Sequence, residues 1–163
     1  LNIDNLDNLD NLDNLDNLDV YKSLKKIKKG VEFHSFMERQ CMDLDVGVDA
    51  ESAFLDALEY LKNEPLFPFS EILNSGFREW GYDFFNESTQ KIEAGKIDLW
   101  AEVDNTVWIV DYKTGALSSK KKGFEQLLRY KKVIEAHLQK KAERNFKLVL
   151  SYPLIKTTFI ESC

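Results

Sequence analysis

Three residues in one short stretch of this chain could do chemistry together: Asp98, Asp111 and Lys113, all between Gly95 and Gly115. Two runs that alternate apolar and polar residues flank Asp104-Asn105 there. That dipeptide suits a tight two-residue turn, though less well than Asn-Gly. With such a turn, residues whose numbers sum to 209 lie opposite each other, so Leu99 faces Val110, Ala101 faces Trp108 and Asp98 faces Asp111. Strand alternation then puts Ile97, Leu99, Ala101, Val103, Trp108, Val110 and Tyr112 on an apolar face toward the core. The opposite face receives Asp98, Trp100, Glu102, Val107, Ile109, Asp111 and Lys113. Directly opposed carboxylates have Cβ atoms about 4.5–5.5 Å apart, where unpaired like charges are destabilising. Lys113 compensates in part. A divalent cation with hard oxygen ligands compensates better and creates a reactive centre. A surface salt bridge between Lys113 and either Asp is the other reading of this spacing. Against it, Trp100, Val107 and Ile109 share the face, and burying carboxylates beside them without a partner or metal is costly.

The elements that must position this hairpin are readable on either side. Between Val20 and Leu44, Leu24, Ile27, Val31, Phe36 and Met37 recur near helical spacing, with Gly30 as a weak point. A second helix is expected from about Asp49 to Lys62, ended by Asn63-Glu64-Pro65, with Pro65 and Pro68 bracketing a loop. Strands are expected over 77–85, 92–103 and 107–113. A long helix from Gly123 to about Arg144 follows, then a strand over 146–152 and another over 155–160. Helices, an antiparallel hairpin, a helix and a further strand make an α/β fold, a central mixed sheet flanked by helices.

Composition bounds what this domain can be. The chain has 163 residues, 44% of them hydrophobic, with 11 Phe, 6 Tyr and 3 Trp, enough for one domain with a real core. No apolar run approaches the roughly 20 residues of a membrane span, and the start from Leu1 lacks a basic region followed by an apolar stretch, so no secretory signal is expected. Cys41 and Cys163 stand far apart, and their spacing suggests reduced thiols in a cytoplasmic protein rather than a zinc or redox pair. Residues 1–19 repeat Asn-Leu-Asp and hold six Asp but no Lys or Arg, which accounts for the whole net charge of −6. The repeat reads as a low-complexity linker and residues 20–163 as the domain. A calcium site in the Asp ladder is disfavoured, since the glycines of repeat-type calcium sites are absent. Lys25, Lys26, Lys28 and Lys29 form one basic cluster and Lys120, Lys121 and Lys122 another; either is solvated surface or a contact for a phosphate backbone.

Gly95-Lys96-Ile97-Asp98-Leu99 with Ile109-Val110-Asp111-Tyr112-Lys113-Thr114-Gly115 resembles the core of the PD-(D/E)xK nucleases of the RecB type. Residues 30–38, from Gly30 to Glu38 around His34, are similar to that family's N-terminal helix, and Gln126-Leu127-Leu128-Arg129-Tyr130 to its Gln-x-x-x-Tyr helix. The resemblance spans about residues 30–135 in the family's order, and it implies a restriction-endonuclease-like fold. It implies Mg²⁺, which Mn²⁺ could replace, on Asp98 and Asp111, with His34 as a further ligand and the Tyr112 carbonyl completing the set. Lys113 would position or activate the attacking water and offset charge growing on the phosphate. Gln126 and Tyr130 would hold the substrate backbone or brace the site. The family's additional acidic position could be Glu79 or Glu87, with Glu79 favoured. By itself, His34 between Phe33 and Phe36 reads as an ordinary partly buried histidine, and Gln126 and Tyr130 as helix surface and core edge.

The cysteines that iron–sulfur relatives carry are missing, so no such cluster is expected. The analogy is closest to the C-terminal nuclease domain of RecB or AddA, a DNA exonuclease of double-strand-break repair and recombination. The absence of a Gly-x-x-x-x-Gly-Lys-Ser/Thr loop puts the helicase motor elsewhere in a longer chain or complex. The chain would then be a piece of something longer, tethered through the Asn-Leu-Asp repeat. Ser23-x-x-Lys26 and Lys113-Thr114-Gly115 fit motifs of penicillin-recognising enzymes, but the Ser-Asp-Asn element between them is missing. The rival function is a non-catalytic DNA-binding or scaffolding domain of the same fold, whose expected mark is loss of Asp111 or Lys113.

Overall fold

The computed structural model describes residues 15–39, 51–138 and 144–163. Three helices come first: α1 (Leu15–Arg39), α2 (Ser52–Asn63) and α3 (Phe69–Ser75). Strands β1 (Phe77–Asn86), β2 (Lys91–Val103) and β3 (Thr106–Tyr112) follow, then α4 (Lys120–His137), β4 (Asn145–Tyr152) and β5 (Thr157–Ser162). The five strands lie in the order β1-β2-β3-β4-β5, antiparallel except for β3 and β4. A parallel pair needs a crossover, and α4 supplies it.

Asp104 and Asn105 both adopt left-handed backbone, with φ of 48° and 59°. Those are the conformations of a type I′ turn, whose twist matches that of the strands it joins. The turn sets the expected register, Leu99 opposite Val110 and Ala101 opposite Trp108.

Each sheet face buries its own apolar layer. On one, Phe33, Phe36 and Met37 of α1 join residues of α2 and α3 over Leu99, Ala101, Val110 and Tyr112. On the other, Phe124, Leu127, Tyr130 and Ile134 of α4 cover Trp100, Val107, Ile109, Leu148 and Leu150. The face carrying Asp111 is therefore core over most of its length.

Some expectations need correction. Ile97 packs with Trp100 on the α4 side, not with Leu99, because alternation slips at Asp98. Opposite that point Glu79 has φ 44°, and the β1–β2 pairing passes from Arg78↔Leu99 to Trp80↔Ile97 with no Glu79–Asp98 pair between. The loop bracketed by Pro65 and Pro68 is in place, and α3, which no expectation from the sequence covered, begins at Phe69 and buries Phe69, Ile72 and Leu73. In α1, Leu24, Ile27 and Val31 are exposed, so the buried stripe begins at Phe33. Helix α1 also takes in the last part of the Asn-Leu-Asp repeat from Leu15, whereas the rest of the repeat, Cys41 and the expected helix end at Leu44 lie outside the described residues. Helix α4 ends at His137, short of Arg144, with residues 139–143 likewise outside.

Candidate active site

The site forms where β3 parts from β2 while staying paired with β4. Ladder pairing of β2 with β3 ends at Leu99↔Val110, whereas β3 and β4 remain in register to Tyr112↔Ser151. The Lys113 amide continues that hold, donating to the Ser151 carbonyl at 2.8 Å. On the open side the Tyr112 amide donates to Asp98 Oδ2 at 2.7 Å, so a side chain replaces the missing ladder partner. The expected Asp98–Asp111 facing pair is thus a divergence of two strands with a carboxylate on each lip.

His34 enters from α1. Its Nδ1 lies 3.3 Å from Asp98 Oδ1 and 3.7 Å from Glu79 Oε1. One potential ligand atom from each of His34, Glu79 and Asp98 falls within 4.8 Å of the others. Two opposite ligands of a small divalent cation stand about 4 Å apart, so the trio is close to the span such an ion needs. Its oxygen-rich donor set with one imidazole suits Mg²⁺ or Mn²⁺ better than softer metals. Lys96 Nζ, 3.5 Å from Glu79 Oε2, and Arg78, whose guanidinium donates to the Leu73 carbonyl, flank the trio. Neither cation was assigned a role from the sequence; Arg78 stands next to Glu79 and Lys96 two residues before Asp98, which was the available signal. Glu87, the other candidate for the upstream acid, lies in the turn between β1 and β2, beyond the end of the ladder.

Asp111 stands outside that trio and is 2% exposed. Lys113 Nζ pairs with its Oδ2 at 2.7 Å, an ion pair without the angles of a regular hydrogen bond. Burial and then the neighbouring Asp98 charge push the Asp111 carboxyl up to about 7, against the lowering effect of Lys113. A buried acceptor of this kind calls for a cation or a proton. Lys113 supplies one such charge, and the neighbouring Asp98 carboxylate leaves a second to be met, which fits a metal at the site.

On the α4 side the donors are ordered. Lys113 Nζ donates to Gln126 Oε1 at 2.9 Å, and Gln126 Nε2 donates to the Tyr130 hydroxyl oxygen. Because an ammonium only donates, this contact fixes which end of the amide faces Lys113, and the Tyr130 proton is left for another acceptor. Burial, followed by the charge of Asp111, raises the Tyr130 pKa, so the phenol stays a donor. His34 is also raised: burial lowers it, but the contact with Asp98 and the charges of Asp98, Glu79 and Asp111 outweigh that. The structure therefore gathers His34, Asp98, Asp111, Tyr112, Lys113, Gln126 and Tyr130 around one end of the hairpin, with Tyr112 present through its backbone and its ring in the core.

A five-stranded mixed sheet between helices, opening at its central hairpin onto these groups, is a restriction-endonuclease-like fold. Comparison with protein families matches residues 11–158 to the PD-(D/E)XK nuclease superfamily, and the chain belongs to it. Asp111-Tyr112-Lys113 fits the (D/E)-x-K pattern of that name, while Asp98 follows Ile97 rather than Pro. Comparison with curated proteins gives no match. Among the described residues no helix is long and apolar enough to cross a membrane.

Proposed function

We propose that the chain is a Mg²⁺-dependent deoxyribonuclease, hydrolysing phosphodiester bonds as an exonuclease. The observation that carries this reading is the buried Asp111 carboxylate paired with Lys113, next to the His34–Glu79–Asp98 trio. Asp98, Asp111 and His34 would hold the ion, with the Tyr112 carbonyl and Glu79 within the same set. When bound, the ion lowers the pKa of its water and polarises the phosphoryl oxygen.

The chain's own residues do the rest. Lys113, anchored by Asp111 and Gln126, holds a positive charge where the phosphate gains negative charge. Tyr130, its oxygen already accepting from Gln126, directs its proton to a phosphate oxygen. The resemblance to RecB and AddA supports a place in DNA double-strand-break repair, with a helicase motor in the full-length chain or complex. A complete gene without an ATPase motor, and without a motor partner, would remove that part of the reading.

The test is incubation of the protein with end-labelled single-stranded and duplex DNA in Mg²⁺, in Mn²⁺ and in chelator, alongside Asp111→Ala and Lys113→Ala. Cleavage is expected only with metal, and each substitution should lower it about 10²–10³-fold, the usual loss when a transition-state contact is removed. Equal cleavage by the variants would place the chemistry elsewhere. DNA binding without cleavage by the intact protein would favour a scaffolding domain.

A further inference from the structure

Strands β1 and β2 run on past the point where β3 ends. Their pairing continues from Trp80↔Ile97 to Asn86↔Lys91, a two-stranded arm with α4 packed against one face. Trp80 meets His137 with ring centroids 4.9 Å apart, and Tyr82 meets Tyr130 at 6.0 Å. Between arm and helix lies a cavity of about 260 Å³ whose walls include Tyr82, Phe84, Arg129 and Lys132. Gly95 makes part of this arrangement possible, because a Cβ there would stand 2.7 Å from the Tyr82 hydroxyl oxygen.

The cavity is joined to the active site by an unbroken series of side chains. Asp111 meets Lys113, Lys113 meets Gln126, Gln126 meets Tyr130, and the Tyr130 ring meets Tyr82 on the cavity wall. Arg129 and Lys132 lie on the exposed side of α4. Half-buried aromatic rings interleaved with exposed cations form a surface on which bases stack while flanking phosphates are neutralised. A duplex keeps its base faces stacked on one another, so only an unpaired strand can use such rings. The volume, near the small end of ligand cavities, also suits one nucleotide rather than a double helix. Two carboxylates, Glu87 and Glu93, line the same space, and Glu93 already accepts from Asn86 Nδ2 at 2.6 Å. Carboxylates accept from base amino groups, so they suit a site that takes bases as well as phosphates.

We infer that the groove between the β1–β2 arm and α4 binds the unpaired strand of a nucleic acid next to the bond to be cut, stacking bases on Tyr82 and Phe84 and pairing phosphates with Arg129 and Lys132. This rests on the nuclease reading for its purpose but not for its test, which measures binding alone. Fluorescently labelled dT20, rU20 and a duplex of equal length are titrated with the full chain in chelator, following anisotropy from 20 to 300 mM salt. The variants are Arg129→Ala/Lys132→Ala, whose side chains are exposed, and Phe84→Ala, each checked for fold by circular dichroism.

The intact protein should bind dT20 more tightly than duplex, and Phe84→Ala should weaken dT20 about tenfold, within the range for loss of one stacked base. Removing both cations should weaken it further and flatten the salt dependence by about 1.4 in log–log slope, or about 0.7 per phosphate. Equal use of rU20 and dT20 would assign the groove to either polymer, and preference for one would name it. Duplex bound as tightly as dT20, or unchanged dT20 binding by correctly folded variants, overturns the inference. Groove-dependent dT20 binding without metal-dependent cleavage would overturn the nuclease reading and leave the groove.

Discussion

Asp111 carries two opposed demands, because its burial favours a neutral carboxyl while a metal requires an anion. With its value pushed up from 3.8 to about 7, the folded protein keeps a proton that the unfolded chain releases between those values. Its contribution to stability is therefore whole below about pH 4 and is lost as pH rises toward 7. His34 works in the same direction: raised above 6.5, it contributes below 6.5 and stops contributing as pH passes its folded value. The metal-free protein should lose thermal stability from pH 5 to 8, and Asp111→Asn should flatten that loss. At pH 8 the variant should melt a few degrees higher, since about 1 kcal/mol moves a domain of this size by about 2–4 °C. Melting curves in chelator check this. A lower melting point for Asp111→Asn at pH 8 would mean that attraction to Lys113 exceeds the cost of burying the charge.

At the scale of elements, how α1 meets the β3 end decides where His34 sits. Gly30 lies inside a 25-residue helix, where glycine costs about 1 kcal/mol relative to Ala. A Cβ at that position would stand 3.0 Å from Thr114 Oγ1, one residue past Lys113. His34 is one turn further along α1 on the same side. Gly30→Ala should thus gain little stability, lift the helix from the loop and lower cleavage severalfold. Gly30→Ala/Thr114→Ala should recover most of the loss, because it removes the atom in the way. Full activity with a stability gain of about 1 kcal/mol in the single variant would show that the helix does not depend on this contact. The hairpin was legible in the sequence because its turn and its period of two reinforce each other from Leu99 to Val110. Its end was not. The left-handed Glu79 that shifts Ile97 to the other face is a conformation that no residue type there announces, since a glutamate in that region is uncommon. Helix α3 escaped notice because seven residues after Pro68 are too few to show a period.

For the whole molecule, charge is unevenly placed along the chain rather than set by the folded part. The six Asp of residues 1–19 supply the entire net charge of −6, so residues 20–163 are neutral overall. A nucleic acid approaching the site meets local cations, among them Lys113, Arg129 and Lys132, against a like-signed field from the repeat. Such a field slows encounter at low salt and is screened once charges lie farther apart than the Debye length, about 10 Å at 0.1 M. Removing residues 1–14 takes away four Asp, changing the net charge from −6 to −2, and keeps every described residue of α1. The shortened protein should associate with labelled single-stranded DNA severalfold faster at 20 mM salt. The two proteins should converge by about 0.5 M, while dissociation rates stay alike, because a charge that makes no contact in the bound state acts on encounter more than on dissociation. Stopped-flow anisotropy across that salt range separates the rates. Slower association, or a dissociation rate raised tenfold by the deletion, would show that the repeat contacts the nucleic acid instead of repelling it.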